Sequence, residues 1–261
     1  MKLRTILRTS LVLFFIFGWL SCDKKTEQAL SLHQIEHNAL QLYYGSKGGV
    51  TITGGDGAYS FLCESSLLKA EMTHSNYIQF EPTGVGEASV TIRDSSGESL
   101  LLHVTIVYKT KHVVISGLDA TVAGDAMTVA EQKKLKAEAL ATIPVKTGGG
   151  YRFVYNGGEE RAETEGTVFI YPETYGQDGI EGTFKETVVG NDSRNVAITL
   201  YYSDTERTFV FREYEEPAVR SSPREYRAVQ FAEDLTEQYQ TAYPNVEQVY
   251  TSQVIGSMTT E

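Results

Sequence analysis

The sequence has few cysteines, few basic residues and only one long apolar run. Two Cys in 261 residues exclude a small fold held together by disulfides. The 23 Lys and Arg stand against 34 Asp and Glu, for a formal net charge of −11. This acidic balance argues against nucleic acid as a partner, because phosphates need basic side chains. A single apolar run excludes a polytopic helical membrane protein. The hydrophobic content of 41% suffices for one large domain or two ordinary ones.

The apolar run belongs to an export signal at the start of the chain. It covers Leu11 to Leu20 and, at about 1.5 Å per residue, is too short to cross a bilayer as a helix. Ser21 and Cys22 follow it immediately. The basic residues that precede it are Lys2, Arg4 and Arg8. Charge, apolar run and small residue in this order are typical of a secretory signal peptide.

The end of this signal, Leu20-Ser21-Cys22, resembles the lipobox of bacterial lipoproteins. In that family the cysteine receives a diacylglycerol group and the chain is then cut just before it. The resemblance implies a signal peptide over residues 1–21, lipid attachment at Cys22 and a lipidated tether over residues 22–36. It also implies that the lipid attaches the protein to a membrane. We expect this to be the outer membrane, on either its surface face or its periplasmic face. The alternatives are an ordinary signal peptide and an uncleaved anchor.

Residues 37–110 contain seven short β-rich runs separated by Gly, Asp and Ser turns, which predicts an Ig-like β-sandwich. The predicted strands are Ala39–Tyr44, Val50–Thr53, Ser60–Glu64, Leu67–Met72, Ile78–Glu81, Glu87–Arg93 and Leu100–Tyr108. The segments from Thr51 to Tyr59 and from Gly84 to Gly97 are similar to the bacterial Ig-like (Big-type) domains of exported proteins. That resemblance implies a spacer or adhesion module without catalytic residues. Cys63 is interpreted as a small buried hydrophobe.

Residues 111–256 are predicted to form an α+β domain with two helices. A capping box of Thr128 and Glu131 predicts a helix over Gln132–Ile143. Aromatic-rich runs with Gly and Asn turns between them then favour an antiparallel meander. The predicted strands of this domain are His112–Ile115, Tyr151–Tyr155, Thr167–Tyr171, Ile180–Glu186, Val196–Tyr202, Thr208–Tyr214 and Val246–Ile255. A lipocalin-like barrel is the alternative for the meander.

The second helix of this domain is predicted from another capping box, Ser222-Pro223-Arg224-Glu225. Apolar residues follow it at spacings of three and four, the helical period. They are Ala228, Phe231, Leu235, Tyr239 and Ala242. Residues 257–261 are expected to be a polar tail. The predicted fold class is therefore mostly β, an Ig-like β-sandwich followed by an α+β domain whose helices cover one face of a sheet.

Motifs that carry chemistry are few, and the sequence predicts no catalytic residue, no metal and no cofactor. His33, Glu36 and His37 match the H-x-x-E-H pattern of some zinc peptidases, but no large helical domain surrounds them, and a solvated tether is favoured. Glutamates between two predicted strands form an acidic loop without a calcium-binding frame, and we interpret them as solvated charge. These glutamates are Glu159, Glu160, Glu163 and Glu165.

Tyrosine is the one residue in excess, with 16 in the chain. A tyrosine offers an apolar face and a polar tip, so a group of them predicts a platform for a glycan or a surface protein. The candidate ligand-binding residues are Tyr151, Tyr171, Tyr175, Tyr201 and Tyr202. The competing interpretation, which β-propensity favours, is that each ring is simply half-buried in a strand.

Three functions remain open at this point. The favoured one is a non-enzymatic, lipid-anchored envelope protein in which the Ig-like domain is a spacer and the α+β domain binds a glycan or a protein. The second is a structural or accessory subunit of a surface assembly, in which exposed strand edges pair with neighbours. The third is a hydrolase whose carboxylates come from separate strands.

Overall fold

The computed structural model describes residues 28–157, 163–189, 196–215 and 227–261. The described chain is mostly β, as predicted, and its sheets are almost entirely antiparallel. It divides into two sets of strands that share no sheet. We call Ser31–Val107 the two-sheet region and the strands after it the barrel. Among the described residues, no helix is long and apolar enough to cross a membrane.

The two-sheet region has eight strands. They are β1 Ser31–Leu32, β2 Ala39–Tyr43, β3 Gly48–Thr53, β4 Tyr59–Cys63, β5 Leu68–His74, β6 Tyr77–Pro82, β7 Gly86–Asp94 and β8 Ser99–Val107. One sheet has the order β1-β3-β6-β5 and the other β2-β8-β7-β4. Neighbouring strands are antiparallel except β2 and β8, which are parallel.

Both sheets turn one face to a shared core, because alternate residues of a strand point to opposite sides. The buried residues of β7 include Val90 and Ile92, and those of β6 in the other sheet include Ile78 and Phe80. Each such side chain contributes about 1.5–3 kcal/mol when it is fully buried. The polar residues between them face outward. Apolar and polar residues therefore alternate along these strands in the sequence, which is why the strands could be predicted.

The predicted tether over residues 22–36 is too long. Leu30 and Leu32 are only 8% exposed and belong to the core of the two-sheet region. Between them Ser31 pairs with Thr53 of β3. The folded region therefore begins before residue 37. The sequence did not indicate this because β1 has only two residues, too few for an alternating pattern.

The second half of the chain closes into a barrel of eight antiparallel strands, in place of the predicted α+β sheet covered by helices on one face. Its strands are β9 Thr110–Ala123, β10 Gly150–Tyr155, β11 Glu163–Tyr171, β12 Ile180–Val188, β13 Val196–Tyr202, β14 Thr205–Glu215, β15 Arg227–Asp234 and β16 Gln248–Thr260. They neighbour one another in chain order, and β16 closes the barrel by pairing with β9. Closure leaves none of these strands at an open edge.

The second predicted helix is wrong over most of its length. Its capping box at residues 222–225 lies outside the described residues. Phe231, which was assigned to the helical stripe, lies on strand β15 with its ring in the barrel core. Phe231, Ala232 and Glu233 are consecutive and all buried, which is not a helical spacing, and pairing with β14 and β16 on either side makes this segment a strand. Within residues 227–242, which the structure describes, only Thr236–Gln240 is helical, and we call it α2.

The predicted polar tail is also wrong. Residues 257–260 continue strand β16 and pair with β9, with Thr259 opposite His112 and Thr260 opposite Lys111. The backbone N–H of Glu261 donates to the carbonyl of Thr110 at 2.8 Å. Polar side chains are compatible with this strand because its end is exposed on the barrel wall.

The first predicted helix is confirmed as α1, Val129–Ala141. The Thr128 backbone N–H donates to the Glu131 carboxylate at 2.8 Å, and the Glu131 backbone N–H donates to the Thr128 hydroxyl at 3.2 Å. Leu135 and Ala139 bury one side of α1 against Ala120 of β9 and Val249 of β16. The helix therefore packs on the strand pair that closes the barrel.

Aromatic rings fill the middle of the barrel. Tyr151 and Phe153 of β10 pack with Phe184, Phe209 and Phe231 from three other strands, with ring centroids 5.0 to 6.4 Å apart. All five residues are buried. Such rings bury large areas and gain a further 0.5–1.5 kcal/mol or so per well-placed pair.

Candidate ligand-binding site

The five predicted tyrosines lie in three separate places. Tyr151 is fully buried in the barrel, where its hydroxyl donates to the Gln253 side-chain oxygen at 2.8 Å. Tyr202 packs against the same core, whereas its neighbour Tyr201 is 42% exposed on the opposite side of β13. Tyr171 and Tyr175 lie together outside the barrel, with ring centroids 4.9 Å apart. The alternation of strand residues makes a single platform of all five impossible.

The Tyr171–Tyr175 pair belongs to a larger surface group on the barrel wall. Adjacent strands place His112 of β9 opposite Arg152 of β10, and Arg152 opposite Phe169 of β11. The loop after β11 then folds back over this strip, and Tyr175 donates its backbone N–H to the carbonyl of Gly148 at 2.9 Å. We call the side chains of His112, Arg152, Phe169, Tyr171 and Tyr175 the outer patch.

Side-chain contacts hold the outer patch together. The Tyr175 hydroxyl and His112 Nδ1 share a hydrogen bond of 2.6 Å. The Arg152 guanidinium carbon lies 4.1 Å from the centroid of the Phe169 ring, within the range of a cation–π contact. Burial raises the pKa of Tyr175, and the neighbouring Tyr171 raises it further, so the phenol stays protonated at neutral pH. The patch therefore joins flat rings with a fixed cation.

Two glycines let the tyrosine rings lie against the backbone. A Cβ on Gly150 would lie 2.0 Å from the Val113 carbonyl oxygen and 2.9 Å from a ring carbon of Tyr175. A Cβ on Gly179 would lie 2.7 Å from the Tyr171 ring. Neither position has room for a larger residue, so the chain uses glycine where the rings approach it most closely.

The patch also contains two unusual nitrogen atoms. In the part of the chain that the structure describes, the buried side-chain nitrogens and oxygens without a hydrogen bond are Arg152 Nε and His112 Nε2. A carboxylate oxygen of Glu261 lies 3.4 Å from His112 Nε2. That distance is short enough for an ion pair with a protonated imidazole, but the orientation is not that of a hydrogen bond, and we take the nitrogen as unsatisfied.

Comparison with protein-family models and with curated proteins finds no match for this chain. Its candidate site is therefore argued from geometry alone.

A second polar group lies at the end of the barrel where β9 begins. Lys111 Nζ is 3.3 Å from Glu186 Oε1, and the Tyr155 hydroxyl donates to the same oxygen at 2.6 Å. Lys111 also lies 5.2 Å from the centroid of the Tyr155 ring. Burial raises the pKa of Tyr155, and the charge of Glu186 raises it further. These three side chains contact one another, so we interpret them as a structural network and not as a ligand site.

A third polar group is buried near the opposite end of the barrel. Arg207 forms a two-pronged ion pair with Glu233, and its Nη1 donates to the carbonyl of Thr142 just after α1. The side chains are only 11% and 8% exposed. This pair ties β14 to β15 and to the end of α1, a structural task.

The other sequence motifs do not form a site. Glu36–Asn38 is a single 3₁₀ turn in which His37 has a φ of 54°, so the H-x-x-E-H residues do not share a helix face. Among the described residues, no group of three or more His, Cys, Asp or Glu could hold a metal ion. Of the predicted acidic loop, Glu159 and Glu160 lie outside the described residues, whereas Glu163 and Glu165 belong to strand β11. Cys63 is half-buried, and its thiol contacts the carbonyl of Leu68 at 3.5 Å.

Sequence reasoning found Tyr171 and Tyr175 but missed His112, Arg152 and Phe169. Each of these three lies on the outer side of its strand, which the alternation of β9, β10 and β11 does indicate. Their proximity depends on the pairing register of three strands, and no local pattern reports that register.

Proposed function

We propose that this chain is a lipid-anchored protein of the cell envelope, held at the outer membrane through Cys22, and that its barrel binds a glycan or a surface protein at the outer patch. In this proposal the two-sheet region is an Ig-like spacer and the protein has no catalytic role. The observation that carries the binding role is the outer patch itself, in which the partly exposed rings of Phe169 and Tyr175, a cation and two nitrogens without a hydrogen bond come together on the barrel wall.

The aromatic rings that fill the middle of the barrel support binding on the outside. Eight-stranded barrels hold a ligand inside only where side chains leave room. Here Phe153 and Phe184 are buried at the centre and their ring centroids lie 5.0 Å apart. A ligand of sugar or peptide size is therefore better accommodated on the wall, where Tyr175 is partly exposed.

The spacer role is supported by the strand order of the two-sheet region. Lettered in chain order with β2 as a second part of the first strand, the sheets become A-B-E-D and C-F-G. This is the arrangement of a constant-type immunoglobulin domain. The region also carries the two segments similar to bacterial Ig-like domains, so both the sequence and the strand order support the proposal of an Ig-like spacer.

The anchor is proposed from the sequence, because Cys22 lies outside the described residues. Several acyl chains on one cysteine would give stable membrane attachment without a basic surface. Cys22→Ser should abolish acyl labelling and move the protein from the membrane fraction to the soluble fraction. A Cys22→Ser protein that stays with the membrane would exclude lipid anchoring through this residue.

Binding is tested with the full chain on a glycan array and on intact cells. Tyr175→Ala removes the partly exposed ring of the outer patch and should abolish binding, whereas Tyr201→Ala, on a different strand and 42% exposed, should leave it unchanged. Equal binding by wild type and Tyr175→Ala would mean that the outer patch is not the site.

A second candidate, a subunit of a surface assembly, is favoured by one groove. Strands β4 and β5 lie at the edges of their sheets, and a groove of about 550 Å³ runs between them. Phe61, Cys63, Ala70 and Phe80 line it. An added strand from a partner would pair with such an edge. Ala70→Arg would obstruct the groove and should release a co-purifying subunit, an effect that Tyr175→Ala would not have.

A further inference from the structure

The two unsatisfied nitrogens of the outer patch lie on directly paired residues. His112 and Arg152 are opposite each other on β9 and β10, and both side chains are on the outer side of the barrel. Buried polar atoms in folded proteins nearly always have a hydrogen-bond partner. These two nitrogens, on paired residues of one patch, can each donate to an added acceptor.

A group that binds these nitrogens must be an acceptor. Arg152 Nε carries a hydrogen at all accessible pH values and can only donate. In the tautomer in which Tyr175 donates to His112 Nδ1, His112 Nε2 carries a hydrogen as well. A guanidinium stacked on a ring keeps its in-plane N–H groups free for a planar, two-oxygen partner. A carboxylate fits these donors best.

The chain already places one carboxylate at this position. Glu261 Oε2 lies 3.4 Å from His112 Nε2, while the Glu261 side chain is 77% exposed. The side chain is therefore held by little else and is the group that an incoming carboxylate would displace. The two nitrogens are covered in the structure, so a ligand reaches them only after such a movement.

Resting on the proposed function, we propose that the outer patch binds the carboxylate of an acidic sugar and that Glu261 occupies the carboxylate position when the ligand is absent. The sugar assignment follows from the rings beside the donors. Tyr175 is held by His112, by Tyr171 and by its backbone bond to Gly148, so its orientation is fixed before binding. A fixed aromatic ring next to a guanidinium suits a sugar that bears a carboxylate, because the C–H face of the sugar can pack on the aromatic ring.

The probe is polygalacturonate, compared with the same polymer after complete methyl esterification. The ester keeps the sugar rings and removes the charge. Full-length wild type should bind the acid form and bind the ester at least about tenfold more weakly, the loss that follows from losing hydrogen bonds to a charged group. Free galacturonate should compete with the polymer, and methyl galacturonate ester should not.

Two variants should change the affinity in opposite directions. Arg152→Gln should weaken binding to the acid form by about tenfold or more, to the level of the ester. Glu261→Gln should strengthen it several-fold, because the competing carboxylate is gone. Lys69→Gln removes a positive charge from an exposed side chain in the two-sheet region, away from the outer patch, and should leave binding unchanged. Circular dichroism and thermal unfolding check that each variant folds.

The outcomes separate this inference from the function on which it rests. Equal binding of acid and ester, lost in Tyr175→Ala, would overturn the carboxylate inference and leave glycan binding intact. Binding of neither polymer, together with no signal on a glycan array, would overturn both. Binding of a poly-glutamate peptide in preference to the polysaccharide would overturn the sugar assignment and indicate an acidic protein as the ligand. Weaker binding by Glu261→Gln would exclude the inference that the ligand displaces the Glu261 carboxylate.

Discussion

The two halves of this protein are both built of antiparallel strands, but they build their cores from different residues. The two-sheet region buries mainly aliphatic side chains such as Ile52, Ile78 and Val90. The barrel buries aromatic rings and also encloses polar groups, among them Gln253 and the Arg207–Glu233 pair. The comparison teaches that alternation along each strand already indicates which aliphatic residues form the first core, whereas the aromatic and polar core of the barrel also depends on which side chains meet across strands.

The largest expected effect comes from removing half of the buried ion pair. Glu233→Ala leaves Arg207 charged and buried without its partner, which should destabilise the barrel by about 3–5 kcal/mol. Urea denaturation gives the total change, and hydrogen exchange measured by mass spectrometry assigns it to the barrel strands.

The control for this prediction is the double variant Arg207→Met with Glu233→Leu. It replaces both charges with apolar groups and should recover most of the lost stability. A Glu233→Ala protein as stable as wild type would contradict the view that the barrel depends on exact polar pairing.

The next effect is a cavity in the aliphatic core. Ile78 is fully buried, and Ile78→Ala should cost about 2–5 kcal/mol in the free energy of unfolding. Because the two regions share no sheet, hydrogen exchange should speed up in β3, β6 and β7 and stay unchanged in the barrel. Faster exchange to the same degree in both regions would show that they unfold as one unit.

The smallest expected effect is a loss of stability at alkaline pH. Burial raises the pKa of Tyr151 above the usual value near 10, so the unfolded chain ionises this group while the folded barrel does not. The unfolded state then binds fewer protons, and stability falls above pH 10 by about 1.4 kcal/mol per pH unit from this residue.

Tyr151→Phe should make that decline shallower in urea titrations at pH 9 to 11. Tyr201→Phe, a change on the exposed side of β13, is the matched control and should not alter the slope. An unchanged slope in Tyr151→Phe would mean that Tyr151 does not titrate differently in the two states.

Much of the fold could be predicted from local patterns. Short alternating runs located β3 to β8, and the Thr128–Glu131 capping box located α1, because both signals depend on residues close together in the chain. The prediction around Phe231 failed because an apolar spacing of three and four, typical of a helix, occurs in a segment that forms a strand. The strand pattern prevailed because β14 and β16 were available to pair with it.

The candidate site was predicted only in part. Tyr171 and Tyr175 could be chosen from composition, since tyrosine was in excess. Their neighbours Arg152 and His112 could not, because 40 residues separate them in the chain and only the register between β9 and β10 places them together. Gln253, the partner of Tyr151, is farther still along the chain and lies on the strand that closes the barrel.

The sequence by itself determined that the described chain is mostly β and where most strands and the first helix lie. It did so because alternation, turns and caps are local and need no distant partner. Only the tertiary structure decided that the second half closes into a barrel and that one outer wall gathers His112, Arg152 and two tyrosines. Closure and the patch both follow from the pairing of β9 with β10 and β16, contacts between residues far apart in the chain.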